Sequence, residues 1–484
     1  MGKNIVRRLH PDEPNKHSRL WIQEEIEDVL DNDLGSEAIR CISLKLTPDI
    51  VLEGLGNMKK LRCLIVDHRY GDKDRDDLVK IDEVLKKLKS IILRSSKVRT
   101  LDLGLTPNLV RLDLSFCDDL DLESLENLNV SSLHLKEFQN IILCHSNSNL
   151  QQLDFGGNDI ENLPSSIGNL HKLVNLSFNG CRKLKSLPGS ICSLQHLRVL
   201  NLGHSGIEEL PEDIGQLECL EELNLTYSKI KHLPDSICKL KHLKTLILGS
   251  CEVCKLPENF GQIDSLKRLD LSCCNIRDIP PSICKLKHLN YLDLGDCSEL
   301  EKLPENLGDL ESLNRLSVTS TKIRDVPSSI SKLKHLKKLY LCKCSELEKL
   351  PENLGDLESL KTLDLTSTKI RDVPSSICKL KHLTYLNLSN CSELEKLPEN
   401  LGDLESLNTL LVMSTKIRDV PSSICKLKHL EYLDLSKCSG LEKLPQNLGD
   451  LESLNTLLVM STKIRDVPSN ICKLKHLEYL DLSN

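Results

Sequence analysis

From residue 150 onward one leucine returns at positions 153, 176, 200, 223, 246, 269, 292, 316, 339, 363, 386, 410, 433, 457 and 480, always at a step of 23 or 24 residues. Nothing else in the sequence constrains the fold as strongly, because a register kept over so many steps requires each step to be the same piece of structure. The steps read L-x-x-L-x-L, with Phe or Val in the third place at 155, 178, 318, 412 and 459, as in Leu289, Leu292 and Leu294, followed by Cys297 and then by Leu300, Leu303 and Pro304. Alternation at Leu292 and Leu294 sends two side chains to one face of a short strand, and the leucines that follow reach the same interior only if the chain turns back. One such coil cannot bury its leucines alone. Stacked coils can, with their strands aligned in a parallel sheet and a continuous core behind it.

This spacing is the leucine-rich-repeat pattern. The expected fold class is an α/β solenoid, a horseshoe with a parallel concave sheet and short helical or 3-10 segments on the convex side. Prolines at 164, 188, 211 and 234 and onward to 468 mark that second side, suited to the first turn of a short helix. The position held by Cys297 or Thr321 takes a small side chain, because the chain bends inward there and the side chain must bond to neighbouring backbone. Three parts follow. Residues 1–36 carry no repeat, and RLWIQEEIEDVLDNDLG reads as a helix ending near Gly35, with Ile22, Ile26, Val29 and Leu30 as its apolar stripe. Residues 37–149 hold degenerate coils, with strand-like cores at 39–44, 61–66, 98–103, 109–114 and 130–135 and an exposed loop at 67–77. Residues 150–484 hold the regular coils.

A net charge of −7 with 28% charged residues provides no basic field for nucleic acid. No apolar run approaches the roughly 18 residues of a membrane span, and Val6 stands where myristoylation wants Ser or Thr. Most of the 21 cysteines fall at repeat-equivalent places such as Cys378, Cys425 and Cys472, where they read as small buried apolar residues. Cys251, Cys274 and Cys297 lie on successive coils and read as free thiols. Asn129, Asn175, Asn224 and Asn387 stand in glycosylation sequons within or beside strands and read as accidental. The histidines at 288, 335, 382, 429 and 476 follow the coil period, and equivalents two coils apart stand about 10 Å from each other, too far to share a metal. A catalytic group should be singular and convergent; these are arrays. No catalytic, cofactor-binding or metal-binding residue is expected.

Residues 297–484 are four copies of one 47-residue unit, cut at Cys297, Cys344, Cys391 and Cys438. On the convex side Lys379 and Lys381 alternate with Asp356, Glu358, Asp403 and Glu405, so opposite charges should meet in register. Most positions that differ between copies point instead to the strand face. The residue before the second leucine runs Arg315, Lys338, Thr362, Tyr385, Thr409, Tyr432, Thr456, Tyr479; the one after it runs Ser317, Tyr340, Asp364, Asn387, Leu411, Asp434, Leu458, Asp481. With Met413 and Met460 these are the expected protein-binding residues of the concave face. Tyrosines suit such contacts, and Leu411, Met413, Leu458 and Met460 form an expected apolar strip.

The words MGKNIVRR at 1–8, PNKHSRLW at 14–21, VLDND at 29–33 and GSEAI at 35–39 resemble, in order and spacing, the segment that follows the nucleotide-binding module of plant TIR-NB-LRR disease-resistance proteins. L-P-x-x-I-x-x-L is similar to the repeats of intracellular rather than extracellular plant receptors. The resemblance implies a fragment of an innate-immune receptor: 1–36 as the remnant of that segment, and the rest as a non-catalytic recognition and regulatory module. Its implied partners are a pathogen effector or host protein on the concave face and the nucleotide-binding module of a related receptor. ADP or ATP belongs to that module, since no G-x-x-x-x-G-K-[ST] loop occurs here. The implied location is cytoplasmic, with the nucleus as the alternative. A competing reading is a general intracellular scaffold or adaptor of the Ras-interacting leucine-rich-repeat type, which has no reason to carry the words at 1–46.

Overall fold

The computed structural model describes residues 13–32, 34, 37–45, 58–67, 87–94, 108–116 and 149–483 of the 484-residue chain. The expected strands at 98–103 and 130–135, the words at 1–8, Asn129 and the polar run beyond Asp67 lie outside the described residues. The chain divides into two compact units, Met1–Ile230 and Lys231–Asn484.

The first unit opens with the short strand Arg19–Leu20 and the helix α1, Gln23–Asp31. Ile26, Val29 and Leu30 are buried, whereas Ile22 caps the helix in extended conformation. The helix is thus shorter than expected at both ends. Glu24 and Glu25 favour its first turn through the macrodipole, and Asn32 closes it by donating its Nδ2 to the Asp28 carbonyl at 3.0 Å. Five-residue strands Cys41–Lys45, Cys63–Asp67 and Ser90–Arg94 then pair in parallel, followed by the three-residue strand Arg111–Asp113. Asp67 ends a strand rather than opening a loop. Ser90–Arg94 goes beyond the strand-like cores expected from the sequence, although Leu88, Ile91 and Leu93 keep the L-x-x-L-x-L steps with isoleucine in the second place; the adjacent Ile92 masks the alternation. The strands Gln152–Asp154, Asn175–Ser177, Val199–Asn201 and Glu222–Asn224 continue the parallel ladder.

The second unit repeats one coil. Strands of three residues, from Thr245–Ile247 to Tyr479–Asp481, pair in parallel with no slip, so that Leu363, Leu386 and Leu410 stand side by side. Leu383, Leu386, Leu388 and Leu394 show how one coil fills the core: all four are fully buried. Two devices bend the chain after each strand. The first is a left-handed residue, such as Ser367, Asn390, Ser414 or Lys437, with φ between 57° and 60°; only there does the backbone turn inward so sharply. The second is the Thr/Cys column. Thr368 Oγ1 donates to the Leu365 carbonyl at 2.9 Å, and the Cys391 thiol of the next coil donates to that same oxygen at 3.1 Å. Val318 and Val412 likewise each serve a threonine and a cysteine. A carbonyl has two lone pairs, so the alternation of Thr and Cys between coils uses both.

Opposite the strands, 3-10 turns such as Leu354–Asp356 and Ser375–Lys379 pack on those of neighbouring coils. Proline stands just before the longer turns rather than within their first turn, except that Pro281 opens its own turn as expected. Pro374 has φ −61° and ψ 138°, and its carbonyl accepts from Ile377 N–H at 3.0 Å, so the ring fixes the approach and the oxygen starts the turn. Gly355 N–H donates to Ser376 Oγ at 3.2 Å, and a Cβ on Gly355 would run into the Ser376 carbonyl. The cysteines here are free. Cys378 and Cys425 are buried as expected, whereas Cys472 is exposed.

Candidate protein-recognition face

The pleat places the residue before each strand leucine, and the one after it, on the open face of the second unit's sheet. In strand order the first row reads Tyr291, Arg315, Lys338, Thr362, Tyr385, Thr409, Tyr432, Thr456, Tyr479. Tyrosines of the last copies therefore alternate with threonines and stand about 10 Å apart, each ring bounded by small neighbours. Burial raises the Tyr385 phenol above its ordinary value and, with the charge of Asp434 second, does the same for Tyr432; both remain hydroxyl donors at neutral pH.

The second row divides in a way the residue types alone do not reveal. Asp364, Asn387, Asp434 and Asp481 each accept the backbone N–H two residues on, at 3.0, 3.0, 2.9 and 2.9 Å. Asp364 also accepts from Thr366 Oγ1 at 2.6 Å. These four close the strand end, and their presence on the face follows from that duty. Ser317 and Asn387, expected to be exposed, are only 6% and 8% accessible because neighbouring strands cover them. Tyr340, Leu411 and Leu458 in this row make no such turn and are half-buried.

The expected apolar strip is broken. Leu411 pairs with Asp434 and Asp434 with Leu458, so strand order inserts a carboxylate between the two leucines, and Ser436 separates Met413 from Met460 in the same manner. What exists instead is an open depression of about 610 Å³ walled by Leu411, Met413, Tyr432, Asp434, Asn408 and Glu431.

A further row, the residue at the start of each strand, was not read from the sequence. It carries Lys267, Lys337 and Lys361 toward one end and Glu431 and Glu478 toward the other, all exposed. Together with Arg268, Arg315 and Lys338 on one side and Asp434 and Asp481 on the other, it makes the face basic over its first strands and acidic over its last. The signal was present in the sequence, one residue ahead of the row that was read.

Charge on the outer turns is handled differently. Lys379 reaches back to Asp356 at 3.6 Å and Lys381 forward to Glu405 at 2.6 Å; Lys332 and Lys334 do the same to Asp309 and Glu358, at 3.4 and 2.8 Å. The expected registration of opposite charges is present. A second ladder, Lys322 to Glu299 at 2.9 Å and Lys416 to Glu393 at 3.0 Å, runs nearer the strand ends. All are exposed pairs, each individually weak.

In the second unit burial pushes the Cys391 and Cys438 thiols up and holds those of Cys378 and Cys425 up near about 11. In the first unit Cys41 and Cys63 sit opposite each other on adjacent strands. Bonded to Cys41 and Ser90 and close to Arg111 and Arg19, Cys63 is held below the ordinary thiol range.

A family model described as a leucine-rich repeat region matches residues 185–280, 237–320, 279–348, 376–441 and 422–484, more than half of the chain. The chain belongs to the leucine-rich-repeat family. Its repeats are similar to those of plant disease-resistance proteins. Identity is 32% over 215 residues with Disease resistance protein RPP2A of Arabidopsis thaliana, 42% of this chain and 16% of that protein. With Disease resistance protein RPV1 of Vitis rotundifolia it is 38% over 198 residues, 39% of this chain and 12% of that protein. The chain thus matches less than a fifth of the length of these relatives. Among solved structures, a leucine-rich-repeat protein of Leptospira interrogans superposes with a TM-score of 0.64 at 28% identity, over 84% of this chain and 92% of the other. A TDR receptor structure gives 0.57 at 18% identity over 99% and 90%, a likeness of fold alone. Among the described residues of this leucine-rich-repeat chain no helix is long and apolar enough to cross a membrane.

Proposed function

We propose that this chain is a non-catalytic recognition and regulatory module of a plant innate-immune receptor, working in the cytoplasm. It binds a pathogen-derived or host protein along the open face of the second unit's sheet. Its segment 1–36 adjoins the nucleotide-binding module of such a receptor, and that module, supplied by a related chain, is its second partner. The observation that carries this reading is the contrast between the two sides of one coil. Lys287, Lys332, Lys334, Lys379 and Lys381 of the outer turns are taken up in ion pairs, whereas the open face presents half-buried tyrosines, unpaired lysines and a depression lined by Leu411 and Met413. Rigid aromatic and aliphatic groups beside polar ones are what a protein interface uses for its anchors. Similarity to RPP2A and RPV1 favours the immune receptor over a general scaffold.

The test is affinity capture from infected and uninfected plant extract with the full chain and with a variant carrying Tyr385→Ala, Tyr432→Ala and Tyr479→Ala, each partner quantified by mass spectrometry. Proteins retained by the native chain and lost by the triple variant are the expected result. Equal recovery on both would remove the open face from the reading.

A further inference from the structure

Among the four copies, arginine stands in this row of the open face once, at Arg315. In the other three copies its place is held by Thr362, Thr409 and Thr456, so coil geometry does not call for arginine. Its Cζ lies 4.7 Å from the ring centre of Tyr340 on one neighbouring strand and 5.4 Å from that of Tyr291 on the other. Arg268 makes a similar contact with Tyr291 at 3.9 Å, but it also forms a 3.1 Å ion pair with Asp270 of its own strand. At the place of Asp270 the strand of Arg315 carries Ser317. Asp293, in register with Ser317, is occupied by the Tyr291 hydroxyl at 2.9 Å and the Gly295 N–H at 3.0 Å. Arg315 therefore meets no carboxylate within ion-pair distance among the described residues, and its Nε is a buried atom without a hydrogen-bond partner.

A guanidinium stacked between two rings is restricted in rotation and partly desolvated. Such a cation is far better off with an anion against its free edge than without one, and the fork of donors matches a carboxylate two bonds at a time. Around it Lys267, Lys337, Lys338 and Lys361 are exposed, and none is ion-paired among the described residues. The interleaved carboxylates Asp270, Asp293 and Asp364 accept from groups of their own strands. They disfavour an evenly charged phosphate backbone while leaving room for separate acidic side chains.

We infer that the basic end of this face seats an acidic segment of a protein partner, with one Asp or Glu side chain clasped by Arg315 and its neighbours facing Lys338 and Lys361. This rests on the reading of the open face as a protein-recognition surface and adds the chemistry of what it recognises. The probe is a fluorescent peptide of alternating Glu and Gly, acetylated and amidated so that only side-chain carboxylates are present, titrated with the full chain at low salt. Arg315→Thr is the variant of choice, since the equivalent coils already carry threonine and fold. Binding should weaken about tenfold or more in Arg315→Thr, as for loss of a charge-assisted hydrogen bond. It should fall less in Lys338→Ala, and not at all in Lys381→Ala on the outer side. Arg315→Lys should recover only part of it, because an ammonium does not replace the stacked fork. No binding by the native chain, equal binding by Arg315→Thr, or an Arg315-dependent preference for an oligonucleotide of equal charge would overturn the inference. If extract partners still depend on Tyr385, Tyr432 and Tyr479 while the acidic peptide is ignored, this inference alone falls.

Discussion

Lys334 and Lys381 on the outer turns each meet a glutamate of the next coil, at 2.8 and 2.6 Å, whereas Lys337, Lys338 and Arg315 on the strand face of the same unit meet none among the described residues. The core between them is apolar and mostly leucine. The outer side and the core answer to the neighbouring coil, so their chemistry must repeat with the coil. The strand face answers to its own unit at its Asx turns and at a few contacts such as those of Arg268 and Arg315 with Tyr291 and Tyr340, so it can hold residues that occur once. The difference teaches that singular residues, not abundant ones, mark where this scaffold is free to vary.

The sharpest way to break that comparison is to delete core volume. Leu386→Ala should lose about 2–5 kcal/mol by the cavity it leaves, measured by urea unfolding, while Lys338→Ala on the open face should stay within about 0.5 kcal/mol of the native chain. Comparable losses at both would mean the strand face is structural after all. Gly355→Ala comes next. Its Cβ meets backbone rather than a flexible side chain, and the overpacking should cost about 1–3 kcal/mol. A stable Gly355→Ala would show that outer turns are looser than their packing implies.

A smaller change of opposite sign is expected at the bend. Lys343 has φ 59°, a conformation unfavourable for a side-chain-bearing residue and free for glycine, so Lys343→Gly should gain about 0.5–1 kcal/mol after the entropy glycine loses on folding. A loss instead would mean the side chain contributes packing at that bend.

The weakest effect belongs to the outer ladder. Hydrogen bonding to Lys381 lowers Glu405 below its ordinary 4.5, so this contribution is present above that value and lost as pH falls through the lowered one. Glu405 in turn raises Lys381 above 10.5, so its contribution is complete below 10.5 and lost as pH rises through the raised value. Lys381→Ala should therefore melt slightly below the native chain at neutral pH, with the gap closing below pH 4 and in about 1 M salt, where screening shortens to roughly 3 Å. A gap indifferent to salt would place Lys381's role in packing.

Much of the fold was legible because leucine spacing is a property of the chain alone: Leu383, Leu386 and Leu388 declare a coil wherever they occur. The Thr/Cys column was legible as small and bonded, though not that Thr368 and Cys391 share one carbonyl. Ser90–Arg94 is harder to read because Ile92 fills the place between Ile91 and Leu93 and hides the alternation that Leu88, Ile91 and Leu93 keep. Asp364 and Asp434 were taken for surface variation, yet they hold backbone N–H groups. A side chain that folds back on its own turn looks, in sequence, like one that faces solvent. Leu411 and Leu458 looked continuous because they are equivalent in consecutive copies, and strand order put Asp434 between them.

The sequence by itself determined the coil, its 23 or 24 residue pitch, which leucines are interior and which rows face outward, because each of these depends on spacing within one stretch of chain. Tertiary structure alone decided which charges are paired, which tyrosines stand apart and that Arg315 lies between Tyr291 and Tyr340 without a carboxylate. Those relations join residues a full coil apart along the chain, and their distances exist only once the coils are stacked.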